Sequence, residues 1–335
     1  MLATLAVLAG SLAAPATAAD FPFAEDEVIR LIVPYRPGGG YDRITRLVQP
    51  ALAEALSVQA GREVTVIVEN RTGAGGRIAY EHLYGSPPEA PRVLLLDNQG
   101  AALQQIALDA GFDLARFTYI GQVNNSTTAI QVRADLGLGS LADLVERAKS
   151  EPILFGTAGA GSSGHIATLI VQSLLRDQGV SLPMDFVHFN GSKEVLASMQ
   201  RGEVEAFLGS VSSTLAAIKE GYAVNAVVFG RARSPFDPSA PTAFEQDVPG
   251  ATTITEATRT SRIFIAPPGM PEARAKSLRQ ALKTALHSPV FLEAAKAARL
   301  PVIYQSAEEA RETVMQHRQV LLGYEKTIRD ALGGS

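Results

Sequence analysis

The sequence predicts an α/β protein made of doubly wound sheets, on three observations. Short β-rich runs alternate with longer stretches of helical period, glycines cluster where a run gives way to a helix, and one run is apolar throughout. That run, Val93-Leu94-Leu95-Leu96, lacks the alternation of a half-solvated strand and suits a parallel sheet covered on both faces.

The elements follow in order. Ile29 to Val33 is a strand ended by Pro34, and Tyr41 to Leu56 is a helix with Ile44, Leu47, Val48, Leu52 and Leu56 on one face. Val64 to Val68 is the next strand, Ile78 to Tyr84 a helix and Val93 to Leu96 a strand. The rhythm then repeats. Ile130 to Val132 and Ile153 to Phe155 are strands around a helix from Ser140 to Ser150, whose Ser140 and Asp143 resemble a capping box. His165 to Leu175 is a helix, Phe186 to Phe189 a strand and Glu194 to Arg201 a helix. Glu205 to Leu208 and Val224 to Phe229 are strands around a helix from Ser213 to Glu220. Residues 234–250 are rich in Pro, Asp and Ser and read as an irregular connection. Ile263 to Ala266 is a last strand. Helices at Glu272–Leu286, Pro289–Ala298 and Ala307–Leu332 end the chain, with Val302-Ile303-Tyr304 between the last two.

Composition narrows the function. The 335 residues suit two domains at roughly 100–200 residues each. The absence of Cys removes thiolate metal sites, thiol nucleophiles, iron–sulfur clusters and disulfides. A net charge of −4 gives no basic face for nucleic acid, and five scattered His without close pairing argue against a metal site. Residues 1–18 read as a signal peptide, apolar from Leu2 to Ala14 with Ala16-Thr17-Ala18 before the cut, although no Lys or Arg precedes the apolar run. That run is short of the ~20 residues a membrane anchor needs. The mature protein is therefore expected to be exported, periplasmic and free of spanning segments.

Three glycine clusters carry the functional signal: Pro37 to Gly40, Gly73 to Gly76 and Gly156 to Gly164. At strand-to-helix junctions of an open sheet they lie where ligands bind, and each following helix offers unpaired N–H groups suited to an anion. Two enzyme readings compete. Gly159 to Gly164 fits G-x-G-x-x-G, but the acid at the right distance, Asp185, precedes its strand and points to the wrong edge. Ala160 to Gly164 resembles a nucleophile elbow on Ser162, but His287 and His317 fall in helices and His188 in mid-strand.

Five collinear motifs resemble the extracytoplasmic solute receptors of tripartite tricarboxylate transporters, the TctC or Bug family. They are Val33-Pro34-Tyr35-Arg36-Pro37-Gly38-Gly39-Gly40-Tyr41-Asp42, Val68 to Gly76, Phe155 to Ile166, Gly202-Glu203-Val204-Glu205-Ala206 and Ala266 to Pro271. The resemblance implies a type II periplasmic binding protein fold with two lobes, residues 27–124 plus 230–335 and residues 125–229, and a ligand cleft between them. It implies a small organic carboxylate held mainly by backbone N–H groups and ordered water, no catalysis, no cofactor, and delivery from a monomeric receptor to membrane transporter subunits. A ligand-sensing role without transport and a hydrolase using Ser162 are the alternatives.

On the matching positions the ligand-binding residues are Tyr35, Gly39, Gly40, Asp42, Gly73, Ala74 and Gly75 in the first lobe. In the second they are Thr157, Ala158, Ser162, His165, Asn190, Gly191 and Ser210. Asp42 is open between a ligand contact and an acid stabilised by its helix dipole. His165 is likewise open between ligand contact and first-turn support. Tyr35 stands where the family commonly has Phe, adding a hydroxyl for a polar ligand. Leu169 replaces a common Glu and is expected in the core, and Arg77 either meets a second carboxylate or is a solvated charge.

Overall fold

The computed structural model describes residues 21–108, 110–160, 162–298 and 300–331, apart from the side chains of Ser213 and Ala331. The signal peptide expected at 1–18 lies outside them. The chain begins with β1 (Ile29–Val33), α1 (Gly40–Ala60), β2 (Val66–Asn70), α2 (Arg77–Tyr84), β3 (Arg92–Asp97), α3 (Asn98–Ala107) and β4 (Thr118–Ser126). It continues with β5 (Thr128–Arg133), α4 (Leu141–Arg147), β6 (Ile153–Thr157), α5 (Ser163–Asp177), β7 (Met184–His188), α6 (Ser192–Arg201), β8 (Ala206–Ser210), α7 (Val211–Lys219) and β9 (Ala223–Phe229). Then follow α8 (Ala251–Thr258), β10 (Thr260–Ala266), α9 (Glu272–Leu286), α10 (Pro289–Ala297), α11 (Ala307–Leu322) and α12 (Glu325–Ala331).

The strands form two five-stranded sheets of the same design, β2-β1-β3-β10-β4 and β7-β6-β8-β5-β9. In each, three strands are parallel and a fourth runs antiparallel to them. That antiparallel strand is the first one the chain makes after crossing from the other sheet. β5 starts one residue after β4 ends, and β10 follows the return through residues 230–259. The sheets are therefore mixed, where the apolar run of β3 alone suggested a purely parallel arrangement.

Burial follows the pleat. Leu31 of β1 packs towards α1, α9 and α10 on one face of the first sheet, while Ile32 packs towards α2 and α3 on the other. The second sheet is covered by α4, α5 and α8 on one face and by α6 and α7 on the other. α12 touches both α3 and α5, so the apolar core is continuous between the sheets on that side. Arg329 pins α12 there by donating to the Ile106 and Ala107 carbonyls at the end of α3, at 2.8 and 3.2 Å.

Several sequence expectations shift for local reasons. The second strand moves from 64–68 to 66–70, because its register pairs Val66 with Ile29 and Asn70 with Val33. Charged Glu69 is tolerated there on an edge strand beside Arg71. Ser140 caps α4 through the Asp143 N–H, but Asp143 returns its carboxylate to Gly139, so the box is not reciprocal. The C-terminal helix expected over 307–332 breaks at Gly323, a poor helix former, into α11 and α12. Val302 to Tyr304 forms no strand, although the Ile303 N–H donates to Val123 at the sheet edge. Leu169 is half-buried. Helices α3 and α8 and strand β4 were not anticipated at all. No helix among the described residues is long and apolar enough to cross a membrane.

His317 joins α11 to α8. It is 1% exposed, with Nδ1 2.8 Å from the Glu256 carbonyl and Nε2 unpartnered. Burial pushes its imidazole down from 6.5 to about 4. The unfolded chain then binds the extra proton between those two values, so stability falls as pH drops through that window, by about 3 kcal/mol in all. Denaturant melts at pH 7 and 4.5 should show that loss in the wild type, and His317→Gln should remove most of this slope. Equal slopes would refute the assignment.

Candidate functional site

The segments that follow β1, β2 and β3 converge on those that follow β6, β7 and β8. A cavity of about 360 Å³ lies between Tyr35, Ala74, Gly75 and Gln104 on one side and Ser162 and Ser163 on the other. A second, of about 190 Å³, is lined by Ser163, Gly164, Ser192, Ser210, Thr260 and Arg262. Ser162 and Ser163 border both, so the cavities adjoin at the start of α5. Among the described residues neither lining contains Asp or Glu, although the whole chain carries a net charge of −4.

The loop after β2 is strained in a way that shapes the first cavity. Gly73, Ala74, Gly75 and Gly76 all have positive φ, at 131°, 45°, 63° and 99°. Ala74 is there despite its Cβ, and such outliers persist only when the surroundings fix them. The fixing group is Gln104 of α3, whose Nε2 donates to the carbonyls of Gly75 and Ala74 at 2.7 and 3.2 Å. At Gly76 a Cβ would come within 3.2 Å of Pro34 and Tyr80, so only glycine lets the loop lie on β1.

Tyr35 donates its hydroxyl to Asp97 Oδ2 at 2.8 Å. Burial and the neighbouring Asp97 charge raise the phenol well above its ordinary value, so the proton stays. With its hydrogen committed to Asp97, Tyr35 offers the cavity an acceptor only.

Asp42 is buried and turned towards its own loop. It accepts from the Gly38 N–H at 2.8 Å, from Arg46 Nε at 2.9 Å and from Asn70 Nδ2 at 2.9 Å. Burial alone would raise its carboxyl, but these donors together hold it below the ordinary range. Asn70 also donates to the Tyr35 carbonyl at 3.0 Å, tying the loops after β1 and β2 together.

On the opposite wall, Ser162 caps α5 by accepting the His165 N–H at 3.2 Å. The N–H groups of Ser163 and Gly164 precede the first intrahelical bond, Ile166 to Ser162, and so have no acceptor inside the helix. His165 is buried edge-on between Phe186 and His188, and burial together with the His188 charge lowers its imidazole. His188 ends β7, not its middle, and its Nδ1 lies 2.7 Å from Thr157 Oγ1. Among the described residues, no acid joins Ser162 and a histidine into a nucleophilic triad, and no group of three acids or histidines could hold a metal.

Of the residues named from sequence, Tyr35, Ala74, Gly75, Ala158, Ser162 and Ser210 line the cavities. Gly39, Gly40, Asp42, Gly73, Thr157, His165, Asn190 and Gly191 are in neither lining. Asn190 is committed to Glu194, through its N–H at 3.1 Å and its side chain at 3.3 Å. Arg77 lies outside both linings and pairs with Glu81 at 3.8 Å. Glu205 braces Arg147 at 2.9 Å and the Leu154 N–H at 3.0 Å, a structural tie.

Sequence reasoning missed Gln104 and Arg262. The first sits on an unanticipated helix. The second is a lone cation in an otherwise apolar or hydroxylic strand, Thr260-Ser261-Arg262-Ile263-Phe264-Ile265-Ala266, which was the available signal.

Known proteins share this architecture. A UPF0065 protein of Bordetella pertussis is 28% identical over 302 residues, spanning 88% of this chain and 86% of the relative. A TctC solute-binding protein from Polaromonas superposes with a TM-score of 0.72 at 23% identity, covering 92% of this chain and 99% of its own. MatC of Rhodopseudomonas palustris, solved with malate bound, superposes with a TM-score of 0.68 at 21% identity, covering 92% and 99%. At these identities the two structures establish the fold. Residues 44–321 match the tripartite tricarboxylate transporter family receptor, TctC. With that match spanning most of its length, the chain belongs to the TctC family, a family of solute-binding receptors, not of enzymes.

Proposed function

We propose that the protein is an exported periplasmic receptor that captures a small organic carboxylate between two closing lobes and presents it to membrane transporter subunits. The lobes are residues 27–124 plus 230–335 and residues 125–229. The observation that carries this reading is electrostatic: cavities with no carboxylate among their described lining residues, with the open N–H groups of α5 on one wall and Arg262 on the other. An anion touching both walls favours the closed form, because only that form contacts it from both sides. Malate bound in MatC, a neighbour in fold, supports the same ligand class.

Tyr35, Ala74, Gly75, Ala158, Ser162 and Ser210 are read as the contact residues. Asp42, Thr157 and His165 are read as their supports, since each is already engaged within its own lobe.

A thermal-shift screen of mono-, di- and tricarboxylates should find one that raises the melting temperature as its concentration rises, contributing about 2.7 kcal/mol at 100 times its Kd. If none does, the reading fails. Gly75→Asp should fold, because Asp tolerates the left-handed φ of 63° better than most residues. Its Cβ would lie 3.0 Å from Gln104 Nε2, setting the new carboxylate against the lining of the larger cavity, and ligand stabilisation should disappear. Unchanged affinity in isothermal titration would remove the Gly73–Gly76 loop from the site.

A further inference from the structure

We infer that Arg262 is the residue through which the cleft reads ligand charge, its guanidinium pairing with the carboxylate that the α5 N–H groups approach from the other wall. The inference rests on the carboxylate reading above and adds the residue that enforces it.

Three observations carry it. Arg262 lines the smaller cavity together with Ser163 and Gly164 of α5, and it is the only Lys or Arg in either described lining. Its own partners are neutral: Nη1 donates to Asn124 Oδ1 at 2.9 Å and Ser126 Oγ at 3.1 Å, and the guanidinium lies over the Tyr41 ring at 4.7 Å. Asp97 is its cross-strand neighbour in the register of β10 with β3, yet no ion pair joins them among the described residues. Asp97 instead accepts the Tyr35 hydroxyl. Finally, Nε is buried without a partner. Arg262 is half-buried, and a partly desolvated cation that ion-pairs with no carboxylate gains from an anion that completes it.

The backbone explains the aim of the side chain. The β10–β4 register slips between Arg262 and Ile263, where Asn124 and then Gln122 are the partners, so Val123 has no opposite residue. A bulge of this kind re-aims a side chain, and such bulges gather beside binding sites. Asn124 and Ser126, at the end of strand β4, hold the guanidinium immediately before the chain crosses to β5. An anion bridging Arg262 and α5 therefore links the two sheets close to their crossing.

The test is isothermal titration of a fixed panel of C2–C8 carboxylates and their primary amides into wild type, Arg262→Met and Arg262→Lys, with circular dichroism and melting as folding controls. For the carboxylates that bind wild type, Arg262→Met should weaken affinity about 10- to 100-fold and erase the preference over the amide. Arg262→Lys, which keeps the charge but loses the fork, should retain part of that preference. Added salt should weaken wild-type binding and leave Arg262→Met nearly unaffected. Equal carboxylate affinity and equal amide discrimination in wild type and both variants would overturn the role of Arg262 while leaving the carboxylate reading intact. Failure of every carboxylate to bind wild type would overturn both.

Discussion

The single-residue crossing at Thr127 is the constraint on which the rest of the structure depends. β4 ends at Ser126 and β5 begins at Thr128, so the chain leaves one sheet and enters the other with no room to reorient. It enters antiparallel to its new neighbour β8, and the returning strand β10 does the same beside β3. The carboxyl ends of the parallel strands of both sheets are thereby brought to one cleft. Segments from both sheets border the cavities as a result, among them the loops after β1, β2 and β6, the helices after β3 and β7, and strands β8 and β10.

Within that cleft, local groups override the overall charge. A chain with net charge −4 would repel an anion at long range, weakly at physiological salt. At contact range the relevant groups are the N–H donors of α5, the hydroxyls of Ser163 and Ser210, and Arg262. Two acids beside the site are turned inward. Asp42 is held by Gly38, Arg46 and Asn70, and Asp97 takes the Tyr35 hydroxyl. Their effect on a ligand is through the groups they position, in particular by making Tyr35 an acceptor in the larger cavity.

The strained run Gly73 to Gly76 shows how positioning is maintained. Its left-handed backbone would relax if free, but Gln104 grips its carbonyls and Gly76 lies against Pro34 and Tyr80. Asn70 at the end of β2 bonds both Asp42 and the Tyr35 carbonyl, so the loops after β1 and β2 are tied to each other. Preorganisation of this kind lowers the ordering cost of binding. The chemistry of the cleft is set as much by this second layer as by the surface it presents.

What the sequence alone determined is what is local. Strand β1 and helix α9 fall at the bounds read from periodicity, and the glycine clusters stand at the junctions where they were expected, because apolar spacing and glycine chemistry act over a few residues. Three of the five resembling motifs, at 33–42, 68–76 and 155–166, contribute residues to the cavity linings. Tertiary structure decided the rest. The amide-rich α3 is polar in sequence, yet Asn98, Gln99 and Gln104 are buried by partners elsewhere in the chain. The mixed sheets depend on the order of crossings, which no window of sequence records. Asp42 and Tyr35 were recognised, but their hydrogen bonds, and so their roles, required Asn70 and Asp97 in place. Arg262 reaches the cleft only because Asn124, 138 residues away in sequence, holds it across a bulge. The physical reason is the same in each case: periodicity encodes which face is buried, while the direction of a polar side chain depends on a partner brought near by the completed fold.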